Sequence, residues 1–333
     1  MSRNRWLVLV GALVSAILAW LVVERLDWPV FWATLDQVRI APLVIAIPVL
    51  IGGILARGIR WMLIVVGRPG HIADFLRATC MGYLGNTILP LRAGEIVRII
   101  AVNRLTAIAA AKVMAGAVAD RLLDAIMLAA MLSIVLAVHG AAVVDLKVDA
   151  VALALVAAGF IAVVVAMAWG RLWRGAVGWL ATLFPKPVER IIYRLYEEIV
   201  PVFVTLREPR GLAVAVALTA LATATDLLAI WLVMTAFGWT MPLLAAVTVV
   251  VFLNVGALVP AAPGYIGVFQ VACIFALNLF GIGESEAVAF SVIFQLMVIF
   301  LLISLGAMAM ISCGDRLGPW RRAVAAKSKA ATG

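Results

Sequence analysis

The sequence predicts an all-α polytopic membrane protein of about six full transmembrane helices plus two broken or re-entrant helical hairpins related as an inverted repeat. Three observations carry this. Hydrophobic residues make up 66% of the 333 and mean hydropathy is +1.17, against roughly 45–50% apolar in soluble domains. Apolar runs of about 20 residues, enough to span a hydrocarbon core of about 30 Å, recur from end to end. Two runs are interrupted by proline and glycine in one pattern, Leu89-Pro90-Leu-Arg-Ala-Gly94 and Val259-Pro260-Ala-Ala-Pro-Gly264.

In chain order, Arg3 and Arg5 precede an apolar run from Trp6 to Val23. Glu24-Arg25 follows without a small-residue cleavage site, so the run reads as an uncleaved first span rather than a signal peptide. Residues 24–40, rich in acids, suit the outer side. Span two covers about 41–66 and carries Arg57 and Arg60, three apart on one helix face. Two readings stay open for these arginines: snorkelling to the cytoplasmic interface, or lining a headgroup pocket.

Hairpin one covers 74–104. Its first arm, to Leu89, would be about 24 Å long, too short to cross. Irregular backbone at depth is tolerated only where protein or a water-filled cavity surrounds it. Arg92, Glu95 and Arg98 cluster beside the break, and a charge at mid-bilayer costs about 2.5–3.5 kcal/mol unless it is paired or wet. An elbow near Lys112 leads to span three at about 120–138. Asp120, Arg121 and Asp124 open it, and the acids would there be favoured by the helix dipole or paired with the hairpin arginines.

Residues 139–149 read as an outer loop and span four as about 150–169. The polar insert 171–210 repeats Ile192, Leu195, Tyr196, Ile199, Val202, Phe203 and Leu206 at helical spacing, which suits an amphipathic cytoplasmic helix kinked at Pro201. Span five, about 211–237, holds one carboxylate, Asp226, a functional candidate or a hydrogen-bond partner of Thr223 and Thr225. Hairpin two covers 242–281 without a charge. Span six is about 287–311, and 313–333 is a basic cytoplasmic tail.

Charge placement supports this layout. The outer segments sum to −4, leaving +13 for the rest of a chain whose total is +9. That asymmetry places both termini in the cytoplasm, and the expected location is a plasma membrane of the bacterial inner-membrane type. It also accounts for the basic pI of about 10.1 without nucleic acid. Cys80, Cys273 and Cys313 show no CxxC spacing, so neither a disulfide framework nor a zinc site is indicated. His71 and His139 read as loop residues. No metal or cofactor is expected.

Spans three to five lie between the hairpins, an odd number of crossings, so the two hairpins enter from opposite sides. Broken helices meeting near the midplane are a recurring plan of secondary transporters. After the breaks at Pro90, Pro260 and Pro263, the amides around Gly94-Glu95 and Gly264-Tyr265 would favour an anion. Arg92 can take a phosphate bidentately. Asn86, Arg57, Arg60, Asn254 and Gln270 complete the expected binding set, with Arg121, Asp120, Asp124 and Asp226 as coupling or gating ion pairs. The competing reading is an Arg–Glu–Arg cluster that only braces hairpin one.

These residues resemble a known family. Tyr83-Leu-Gly-Asn86-Thr-Ile-Leu-Pro90-Leu-Arg92-Ala-Gly94-Glu95-Ile-Val-Arg98, then Asp120-Arg121-Leu-Leu-Asp124, then Pro260-Ala-Ala-Pro263-Gly264-Tyr-Ile-Gly267-Val-Phe are similar to the flippase-like transmembrane family. This is the membrane half of lysylphosphatidylglycerol synthase/flippase proteins. The resemblance covers roughly 5–312, hence one transmembrane domain over 1–312. It implies movement of a polar-headed lipid between leaflets; the arginines and tip amides would suit a phosphate on that lipid, and the inverted hairpins would suit alternating access.

Two departures matter. A basic tail stands where fused members carry a soluble aminoacyl-transfer domain, so no synthase activity is expected. Gln270 stands where the family often has Glu, leaving the substrate's charge and any proton coupling open. The competing functions are an enzyme of lipid-headgroup modification, a non-transporting partner of a lipid-modifying enzyme, and a small-solute transporter. Glu95, Asp120, Asp124 and Asp226 form no convincing catalytic constellation. A phospholipid or polyprenyl-phosphate lipid is the expected partner, with room for a homo-oligomer.

Overall fold

The computed structural model describes residues 3–89, 93–143, 175, 177, 179, 186–257 and 263–314. In order, the described helices are α1 (Arg3–Glu24), α2 (Trp28–Asp36), α3 (Ile40–Val66), α4 (Ile72–Ile88), α5 (Gly94–Thr106), α6 (Ala110–Val143), α7 (Lys186–Arg207), α8 (Pro209–Ala236), α9 (Leu243–Gly256), α10 (Val268–Asn278) and α11 (Glu284–Ser312), with a 3-10 turn at Pro263–Tyr265 before α10. Four of them, α3, α6, α8 and α11, are long and apolar enough to cross a membrane. Expected span four, the tips at Pro90, Arg92 and Pro260, most of the first half of the polar insert and the basic tail from 315 lie outside the described residues.

Several boundaries differ from the sequence reading. Residues 24–40 contain a helix, α2, capped by the Asp27 carboxylate, which accepts from the Val30 amide. Helix α6 starts at Ala110, so Asp120 and Asp124 sit deep inside it rather than at its amino end. The dipole account of those acids is therefore overturned. The same helix runs on to Val143, which puts His139 on a helix, its ring 5.0 Å from that of Phe280, and not in a loop. The elbow before α6 is closed by Asn103, whose Nδ2 donates to the Ile108 carbonyl.

The arms of the second broken unit are 14 and 11 residues long. At 1.5 Å per residue they measure about 21 and 17 Å, so neither helix crosses by itself.

Packing follows small residues. The most extensive helix pair is α3 with α8, where a side chain at Gly53 would collide with Thr225. Within hairpin one, α4 and α5 meet at Gly82, Gly85 and Gly94, and a Cβ on Gly85 would lie 2.8 Å from the Gly94 Cα. Helix interfaces in lipid rely on such close approach, because apolar burial alone does not drive association there. On α11 the face bearing Leu296, Phe300 and Ile303 is exposed while Phe290 and Phe294 are buried in the core. An apolar exposed stripe of this kind suits lipid rather than water. The second half of α7 (Ile199, Val202, Phe203, Leu206) docks onto α3, α6 and α8 at Ile64, Ala119 and Ala215.

The two broken units converge: α4 of the first packs against the Pro263–Tyr265 turn of the second.

Candidate functional site

Three helices contribute to a closed ring of ion pairs. Glu95 pairs with Arg98 at 2.7 Å. Arg98 reaches Asp120 at 3.4 Å, and Asp120 pairs with Arg60 at 2.7 Å. Arg60 meets Asp124 at 2.7 Å, Asp124 meets Arg121 at 3.1 Å, and Arg121 returns to Glu95 at 2.8 Å. Helical geometry explains the arrangement. Asp120 and Asp124 are one turn apart on α6 and flank Arg60 of α3, while Glu95 and Arg98 share a face of α5. Left unpaired at mid-bilayer, six such groups would cost roughly 15–21 kcal/mol. In the ring they alternate in sign and sum to zero.

Two of the ring's arginines are sealed, as is Asp120 between them. Arg60 is fully buried and spends Nη1 on Thr219 of α8 as well. Arg98 is also buried and lies over the Trp61 ring, 4.5 Å from its centroid, a placement that adds a cation–π attraction. Neither arginine snorkels. Arg57 does not snorkel either: it pairs with Asp226 of α8, and its Nη1 lies 3.3 Å from Asp226 Oδ1. Thr225 donates instead to the Ala222 carbonyl, so the expected bond from Thr225 to Asp226 is not made.

Between the two broken units lies a cavity of about 780 Å³. Asn86 and Glu95 come from hairpin one, Asn254, Gly264 and Tyr265 from the second unit, and Arg121 from α6. An apolar stripe of α6 (Met114, Val118, Leu122, Ala125) and Phe269 complete one side. Adjoining it is a smaller pocket of about 320 Å³ lined by Arg57, Asp124, Thr223 and Asp226. Tyr83, Arg121 and Asn254 stand on the walls of both.

Not every expected contact reaches the cavity. Arg60, Arg98 and Asp120 lie behind its wall in the ring, and Gly94 is taken up by the helix crossing. Gln270 is buried and holds the second tip: its Oε1 accepts from the Gly267 amide at 2.7 Å, and its Nε2 donates to Gln295 Oε1 at 2.6 Å. Gln295 Nε2 then donates to the Gly264 carbonyl at 2.6 Å. This amide relay holds a turn in which Gly264 (φ 78°) and Tyr265 (φ 59°) are both left-handed, a conformation unfavourable for tyrosine without such support.

Gln295, Tyr83 and Thr87 line the cavity and were missed from sequence. Gln295 did carry a signal, as an amide inside an apolar run. Thr219, the buried partner of Arg60, carried none, because threonine is common in membrane helices.

A family model described as the lysylphosphatidylglycerol synthase TM region matches residues 8–306. No curated protein matches the chain.

Proposed function

We propose, from the premise that this chain belongs to the lysylphosphatidylglycerol synthase transmembrane-region family, that it moves a polar-headed, phosphate-bearing lipid between leaflets. The observation that carries this reading is the 780 Å³ cavity walled by both broken units. A polar headgroup would meet Asn86, Arg121, Asn254 and Tyr265, while its acyl stem would lie along the apolar stripe of α6. A cavity combining a few convergent polar groups with an apolar wall suits an amphiphile. The second unit is related to the first as an inverted repeat, and rocking of one against the other would expose the cavity to each leaflet in turn. The protein resides in a bacterial inner-type membrane with both termini cytoplasmic, the orientation that the basic segments favour.

The test is reconstitution into liposomes with a headgroup-labelled phosphatidylglycerol in the outer leaflet. The expected result is faster loss of accessibility to a membrane-impermeant quencher than in protein-free vesicles. Rates no faster than in protein-free vesicles for every member of a panel of anionic and zwitterionic phospholipids would overturn the assignment.

A further inference from the structure

We infer that Arg121 is the exchange point of the ion-pair ring: the phosphate of a lipid headgroup takes its guanidinium from Glu95, at the wall shared with the smaller pocket. The inference rests on the translocation reading above and adds the residue that reads the headgroup.

The three ring arginines are not equivalent. The Arg60 and Arg98 side chains are 0% and 5% exposed, whereas Arg121 is 43% exposed. Of the three, only Arg121 stands on a cavity wall, and it stands on both. Its release leaves no carboxylate orphaned. Glu95 keeps Arg98 and Asp124 keeps Arg60, because each acid in the ring has two basic neighbours. An open chain of five groups remains, with net charge −1, and the freed arginine neutralises an incoming phosphate. A planar guanidinium matches phosphate with two parallel hydrogen bonds. The Glu95 carboxylate it leaves is 30% exposed, where ion pairs are weak.

The same movement alters the partition. Arg121, Tyr83 and Asn254 are the polar groups common to both cavities. With Arg121 turned onto the headgroup, the next cation is Arg57, held by Asp226 in the adjoining pocket. The ring thus stays closed until an anion competes for its one accessible arginine.

Calorimetric titration of the purified full-length protein in detergent tests this, with dihexanoyl phosphatidylglycerol as probe and glycerol phosphate as the soluble comparison. Arg121→Ala should weaken the lipid at least about tenfold. Glu95→Gln should tighten it about threefold by removing the competitor. Arg121→Lys, which keeps the charge without the fork, should fall between Arg121→Ala and wild type. Thermal melting of each variant separates loss of binding from loss of fold. A merely structural ring predicts that Glu95→Gln weakens binding, and that result, or unchanged binding by folded Arg121→Ala, would overturn the inference. Glycerol phosphate binding as tightly as the lipid would overturn the lipid source. The expected binding pattern without any translocation in liposomes would instead overturn the functional reading and leave the exchange at Arg121 standing.

Discussion

Gly85 and Gly94, on the two arms of hairpin one, approach so closely that a Cβ on the former would lie 2.8 Å from the Cα of the latter. This crossing brings Glu95, in the next position of α5, into reach of Arg121 on α6. The hairpin and the ring are therefore one construction.

Gly94→Ala should break it. Its Cβ would fall 2.5 Å from the Asn86 amide nitrogen and closer still to the Gly82 carbonyl oxygen, both on backbone that cannot swing aside. Overpacking of this kind costs about 1–3 kcal/mol or more. Thermal melting in detergent should show a clearly lowered midpoint, and a wild-type midpoint would contradict the crossing.

Arg60→Met should be more harmful than its partner's removal alongside it. The single variant leaves Asp120 buried with only the longer contact to Arg98, and breaking a buried pair costs about 3–5 kcal/mol. Adding Asp120→Asn removes the uncompensated charge and should recover part of the loss. Yield of folded, monodisperse protein from membranes reads the order, which should be wild type, then double variant, then single.

Gln295→Leu should loosen the second tip without disturbing the ring. It deprives both Gln270 Nε2 and the Gly264 carbonyl of their partners, and each unsatisfied buried group costs about 1–3 kcal/mol. Hydrogen exchange at residues 264–268 should rise while exchange across α5 and α6 stays as in wild type. Unchanged exchange at the tip would show that the relay does not hold the turn.

The corrections have one cause. Hydropathy and Pro-Gly breaks located α3, α8, α11 and the broken units, yet they put the start of α6 ten residues late. An elbow and a helix turn look alike in the weakly patterned stretch around Lys112. Likewise Arg57, Arg60 and Asp226 were each conspicuous as charges in apolar runs, but their partners were not. Of the expected binding residues, Asn86, Glu95, Asn254, Gly264 and Tyr265 reach the large cavity, whereas Arg98 and Gln270 do not.

Membrane residence, the positions of the breaks and the presence of costly charges were all legible in the sequence, because each depends on local composition and the thickness of a bilayer. Only the tertiary structure decided that Arg60 meets Asp120 and Asp124, that Arg57 meets Asp226 across 169 positions, and that Arg121 alone of the ring arginines faces the cavity. Pairing of buried charges depends on which helix faces are pressed together, and that is settled by the packing of all of them at once.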